Sequence, residues 1–318
     1  MRGTWTRLLP RETAEEQREI ITYADSCGFD TVIIPNPTRP MIDEGSRRGV
    51  DVLAIVGTGA NDDIREEHPE AIQQMRPVEQ AVKQVLDDQD EYQPTYDAFR
   101  WYPPFVPGNR LCYAHPEAES LLEQRIEEAL SIADGVALDA VGYQNHYACF
   151  CATCRARREA KRTKTAAEVT DRDLLAQDAE ELLIDSVDHL YSFSKSISSN
   201  AIVTNHVWPP FRPNERYSHQ LSLDYNSPTI AWYYPPWWSA ERVEQEAVMH
   251  ATQEESASSS FLPFIGMKSE PELKRSPEQL QAELEIGLEY GAGDVVFSRL
   301  ETAATFPDIE DVVREALR

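Results

Sequence analysis

The chain has 318 residues, 41% of them apolar, enough to bury one large core or two modest ones. Asp and Glu number 55 against 30 Lys and Arg, a formal charge of −25. A surface so negative repels phosphate backbones and anionic lipids, which argues against general nucleic-acid or membrane binding. No apolar run has the length of a membrane span or a secretory signal, so a cytoplasmic protein is expected.

Only six of the basic residues are lysines: Lys83, Lys161, Lys164, Lys195, Lys268 and Lys274. Carboxylates hold water and cations at high salt, whereas ammonium stems add apolar surface. The balance resembles that of haloarchaeal cytosolic proteins, with an ordinary acidic mesophile as the alternative. Lower salt lengthens the range of self-repulsion. The chain is therefore expected to lose structure in dilute buffer and recover it in molar KCl. A melting temperature that ignores salt would contradict this.

In chain order, residues 3–9 read as a first strand. Thr13-Ala14-Glu15-Glu16 is a capping box that opens a helix ended by Gly28. Thr31-Val32-Ile33-Ile34-Pro35 is a continuously apolar strand of the kind buried on both faces. A short helix over 39–48 leads to a third strand at 50–57. Residues 61–116, rich in acids, Pro and aromatics, form a long excursion expected to hold one helix at 69–86. A helix at 116–133 precedes strand four at 135–142, and a long helix at 171–198 precedes strand five at 201–207. Strand six at 229–234 is followed by a helix at 240–254 and strand seven at 260–266. Ser276-Pro277 caps a helix that runs to Gly291. Strand eight at 293–300 and a helix at 307–317 close the chain.

Eight buried strands alternating with helices predict an α/β fold, a (β/α)8 TIM barrel with a long insertion after strand three, as one domain over 1–318. The rival is a doubly wound open sheet. No G-x-G-x-x-G or G-x-x-x-x-G-K-[ST] follows a strand, which removes the usual nucleotide signatures of that rival.

Chemistry in such a barrel sits at the C-terminal strand ends. Strand four ends near Asp139, Tyr143 and His146, and strand five near Asn205, His206 and Trp208. Strand six ends near Trp232 and Tyr233, strand seven leads to Lys268 and Glu270, and strand eight ends near Arg299 and Glu301. Aromatic rings stack on the apolar faces of sugars, while Asn, His, Arg and acids bond hydroxyls. The pattern suits a carbohydrate site; packing of loops by the same aromatics is the plainer alternative.

Cys149-Phe150-Cys151-Ala152-Thr153-Cys154 is C-x-C-x-x-C, just beyond strand four, and Cys112 is the natural fourth thiolate. Four thiolates suit a closed, structural Zn²⁺ site. An iron–sulfur cluster, a redox thiol pair and coincidence remain open. Cys27 reads as a small buried hydrophobe.

A cysteine before the strand-four helix, then C-x-C-x-x-C after a strand-four acid, resembles the zinc site of family 42 glycoside hydrolases and related barrel glycosidases. The likeness covers residues 110–158. It includes Leu111-Cys112-Tyr113-Ala114-His115-Pro116, the strand Gly135-Val136-Ala137-Leu138-Asp139 and the basic run Arg155-Ala156-Arg157-Arg158. It implies a sugar-cleaving barrel with structural zinc. The family's Asn-Glu pair at the end of strand four is absent, since the chain reads Leu138-Asp139-Ala140-Val141, and the first acid after strand seven is Glu270.

Acetal hydrolysis needs two carboxyls. Asp139, raised in pKa by burial among Tyr143, His146 and Trp208, is expected as general acid, with Glu270 or Glu301 as its partner. Two other readings stand beside it: a sugar isomerase or lyase using His206 with a metal, and a carbohydrate-binding barrel without catalysis.

Overall fold

The computed structural model describes residues 1–7, 9–87, 105–106, 108–164, 169–208, 221–234, 237–254 and 259–318. The barrel strands are β1 (Arg2–Trp5), β2 (Thr31–Ile34), β3 (Asp51–Gly57), β4 (Gly135–Asp139), β5 (Ile202–His206) and β8 (Val295–Ser298). Between the last two lie β6 (Tyr225–Asn226 and Thr229–Ala231) and β7 (Ser260–Phe261 and Phe264–Gly266), each in two pieces. Pro228 and Pro263 make the breaks, because proline has no N–H for a ladder. All neighbours pair in parallel from β1 through β7, with Ser260 opposite Tyr225 and Phe264 opposite Thr229 joining β7 to β6. β8 then pairs with both β7 and β1, so the sheet closes into a barrel.

The helices are α1 (Ala14–Cys27), α2 (Arg39–Arg48), α3 (Asp62–Glu67), α4 (Pro77–Asp87), α5 (Pro116–Leu130) and α6 (Ala152–Arg162). After them come α7 (Asp171–Ile197), α8 (Ala240–Glu254), α9 (Pro277–Tyr290), α10 (Leu300–Thr305) and α11 (Pro307–Ala316). Local chemistry sets their ends as expected. The Thr13–Glu16 capping box opens α1, and Gly28 at φ 96° closes it in the left-handed conformation that glycine tolerates. Ser276 caps α9 by accepting the Gln279 N–H at 3.2 Å. β2 is buried at every position, as its unbroken apolar run predicts.

The excursion departs from expectation. Residues 69–86 do not form one helix. Pro69–Ala71 makes a single 3₁₀ turn, the chain extends, and α4 begins only at Pro77. Two forces break the helix. Pro77 disfavours helical backbone at the preceding residue. Ile72 instead bridges Leu111, while the Gln73 amide donates to the Leu111 and Gly142 carbonyls, both at 3.0 Å. Residues 88–104, also part of the expected insertion, lie outside the described residues. β1 and β8 are shorter than predicted, and β4 stops at Asp139 because Ala140 turns left-handed at φ 59°.

A buried ion pair ties α9 to the ends of β6 and β7. Arg275 is fully buried; its guanidinium donates to the carbonyls of Gly266 and Trp232 and lies 3.1 Å from the Glu283 carboxylate of α9. Arg275→Met would strand a buried charge and two carbonyls. The expected cost is about 3–5 kcal/mol in unfolding free energy. Denaturant melts of the folded protein check it; a loss within experimental scatter of zero would contradict it. Among the described residues no helix is long and apolar enough to cross a membrane.

Candidate active site

The C-terminal strand ends surround a cavity of about 280 Å³. Trp5 ends β1, Asp139 ends β4, His206 ends β5 and Ser298 ends β8. Trp208, Tyr233, Tyr234, Lys268 and Arg299 follow on the adjoining loops, and Arg110 reaches in from the excursion. A second, larger lobe of about 660 Å³ runs toward Asn36, Asn61 and Arg125, and shares Arg7, Arg110 and Asp139 with the first. Asp139 therefore stands at the waist between two lobes.

Asp139 is held through Oδ2, with His206 close to its other oxygen. The Arg7 guanidinium donates to Oδ2, and His206 Nδ1 lies 3.5 Å from Oδ1. Burial alone would raise its carboxyl. The contact with His206 and the charges of Arg7 and Arg110 outweigh that, and its pKa falls below the usual carboxylate range. This corrects the expectation of a raised, protonated Asp139. The resting site holds a carboxylate, which cannot donate a proton. Of the three residues expected to desolvate it, Trp208 lines the cavity and Tyr143 and His146 do not. Tyr143 is buried toward α7, donating to the Ala179 carbonyl at 2.8 Å.

His206 is buried, and burial pushes its imidazole below the usual range despite the opposing pull of Asp139. Both nitrogens are engaged: Trp208 Nε1–H donates to Nδ1 at 3.1 Å, and Nε2 meets Thr229 Oγ1 at 3.0 Å. Because an indole N–H only donates, Nδ1 is the acceptor and Nε2 carries the hydrogen. The ring stacks on Phe264, centroids 3.8 Å apart. A ring so enclosed forms a fixed wall of the cavity.

The aromatic wall is layered. Trp208 faces the cavity and packs edge-on against Trp232 behind it, centroids 5.9 Å apart. Trp232 is itself buried and does not line the space. Tyr233 does, donating to Ser298 Oγ at 3.1 Å. Its ring crosses Gly266 so closely that a Cβ there would sit 2.7 Å from it, so only glycine fits. Asn205, expected at the mouth, is instead spent inside the sheet: it donates to Asn226 Oδ1 at 3.1 Å and accepts the Ser227 N–H at 2.8 Å.

The expected second carboxyls also lie off the cavity lining. Glu301, buried at the start of α10, accepts the Arg7 backbone N–H at 2.5 Å and so positions the residue that grips Asp139. Glu270 does not line the cavity, but its charge acts on two residues that do, Lys268 and Tyr234.

Arg7 and Arg110 were missed in the sequence. Strand one was expected to run to residue 9, which hid Arg7 within it; the strand stops at Trp5 and frees Arg7 for the mouth. Arg110 lies in an excursion without periodic pattern. Its place next to Cys112 was the one available signal.

Cys112, Cys149, Cys151 and Cys154 converge. All are buried, their sulfurs lie within 4.8 Å of one another, and Cys112 Sγ is 3.5 Å from both Cys151 and Cys154. Tetrahedral bonds of about 2.3 Å separate sulfurs by about 3.8 Å, so the cage has the size of one soft ion. Backbone N–H groups of Gln74, Cys151 and Cys154 point at the sulfurs, each at 3.4 Å, as anionic thiolates require. The cluster clamps the excursion to the loop after β4. Around it Cys112 N–H bonds the Ala71 carbonyl and Phe150 N–H the Gln74 carbonyl, both at 2.7 Å.

No family model and no curated protein sequence matches the chain. Solved structures do match in fold. A β-galactosidase from the Antarctic haloarchaeon Halorubrum lacusprofundi aligns at 12% identity and TM-score 0.65, covering 100% of this chain and 57% of its own. A GH42 β-galactosidase, Gan42B from G. stearothermophilus, aligns at 10% identity and TM-score 0.62, covering 99% and 56%. An α-L-fucosidase from Paenibacillus thiaminolyticus aligns at 12% and 0.61, covering 99% and 48%. The chain thus spans about half the length of these proteins. The likeness defines its class as an α/β barrel of the architecture that glycosidases use.

Proposed function

We propose that the chain is a glycoside hydrolase working at the barrel mouth. The observation that carries the reading is Asp139: a charged carboxylate fixed at the waist between an aromatic lobe and a second lobe. A sugar stacked on Trp208 and Tyr233 would set its acetal carbon over that carboxylate, with the leaving group in the other lobe. Asp139 then stabilises or attacks the positive carbon that develops as the bond breaks. The fold shared with glycosidases supports the reading, and so does the match of the cysteine cluster to a structural zinc site. Four thiolates would close zinc's coordination, so the metal would pin loops and leave the reaction to side chains. The strongly acidic, lysine-poor surface supports work in molar salt.

The proton must come from elsewhere. Glu270 is the candidate acid, being the expected carboxyl whose charge reaches the lining residues Lys268 and Tyr234. Glu270→Gln should cost about 10²–10⁴-fold in turnover on alkyl glycosides, whose leaving group needs a proton, and far less on nitrophenyl glycosides. Equal losses on both substrates would remove Glu270 from that role.

A further inference from the structure

The aromatic lobe carries the wrong charge for this protein. The chain has a net charge of −25, yet the lobe is lined by Arg7, Arg110, Lys268 and Arg299 against the single carboxylate of Asp139. Arg7 is taken up by that carboxylate. The other three are not: among the described residues none of them has a carboxylate within 4.0 Å, and the Arg110 Nε is buried without a hydrogen-bond partner. Neutral sugars need hydrogen-bond donors and acceptors, not an excess of cations.

We propose that the sugar taken here carries an acidic substituent, a carboxylate or a sulfate ester, seated between Lys268 and Arg299 with Arg110 beside it. The proposal rests on the carbohydrate reading above and names its substrate class. A planar guanidinium fits the two oxygens of such a group, and an ammonium adds a point charge. The Lys268 Nζ already lies 5.3 Å and 6.0 Å from the Tyr234 and Tyr233 ring centroids, so it is held in place before a ligand arrives. The protein's overall charge does not stand in the way. At molar salt the screening length is about 3 Å, and only the local cations act on a bound anion.

The cations of the lobe disfavour one another. Burial first, then the charges of Arg299 and Arg7, push the Lys268 ammonium down to about 8, and Glu270 offsets only part of this. An anion between Lys268 and Arg299 reverses the effect, so its binding takes up a proton near pH 8. Affinity should weaken as pH rises through that value. The groups facing Lys268 are Arg299, Arg7, Glu270, Tyr233 and Tyr234. Both tyrosines are pushed above their ordinary value of 10, so Lys268 is the group brought toward pH 8.

The test is calorimetric titration of the full chain in molar KCl with methyl glucuronide, methyl galacturonide and galactose 6-sulfate, each beside its neutral parent sugar. At least one acidic sugar should bind about tenfold tighter than its parent. The uronides and the sulfate ester together show which acid is taken. Lys268→Met and Arg299→Gln should each reduce that preference about tenfold, and Arg299→Lys should restore part of it, which separates lost charge from misfolding. Acidic and neutral sugars binding alike would overturn the acidic-sugar assignment and leave the carbohydrate reading standing. Inorganic sulfate binding while every sugar fails would overturn both.

Discussion

Asp139→Asn should lower turnover by about 10³–10⁴-fold while leaving the melting temperature nearly unchanged. The replacement keeps the shape and still accepts a hydrogen bond from Arg7, but removes the negative charge from the waist of the site. The size of the effect follows from burial. In a half-dry pocket a carboxylate acts on a developing positive carbon far more strongly than it would in water. The carboxyl is also held ready: Arg7 grips Oδ2, and Glu301 fixes the Arg7 backbone. Since its pKa lies below the ordinary carboxylate value of 3.8, Asp139 stays charged down to that pH, and any loss of activity between pH 4 and 7 must come from another group. Full turnover by Asp139→Asn would make Asp139 a structural residue whose partner is Arg7.

Losing the four-cysteine clamp should have the largest effect on stability. Cys112→Ala opens the cage and frees the excursion from the loop after β4. Structural zinc binding contributes on the order of 10 kcal/mol in small domains, and most of it is coupled to folding. The larger core cluster lacks these cysteines, so a smaller loss of several kcal/mol is expected, a fall of about 10 °C in melting temperature at about 2 °C per kcal/mol. Arg110 stands two residues before Cys112, and Asp139 ten before Cys149, so activity should fall with it. Elemental analysis of protein purified without chelator should give one zinc per chain, and none for Cys112→Ala. A metal-free wild-type protein with the same melting temperature would remove the metal from the account.

Much of the scaffold could be read in the sequence because its causes are local. Buried parallel strands such as Thr31–Ile34 are continuous runs of β-branched residues, and the Thr13 box and Gly28 mark helix ends within a few residues. The cysteine cage was legible for the same reason: three of its four ligands fall within six residues. The electrostatics of the site were not. Asp139 meets Arg7, 132 residues away, and His206 across a strand pairing. Only closure of the barrel brings these together. Tyr143, His146 and Asn205 follow the right strands, yet strand proximity does not say which way a side chain turns. Tyr143 found a helix carbonyl and Asn205 a neighbouring strand. The break in residues 69–86 shows a tertiary bridge, Ile72 to Leu111, overriding a helical pattern.

The central claim is hydrolysis at the barrel mouth. Its most direct test is release of nitrophenol from a panel of nitrophenyl glycosides, neutral sugars and uronides together, by the wild-type chain in molar KCl. The account predicts turnover of at least one member, abolished to background in Asp139→Asn of unchanged fold. No turnover across the panel by a folded, metal-loaded chain, or turnover that Asp139→Asn leaves intact, would contradict it.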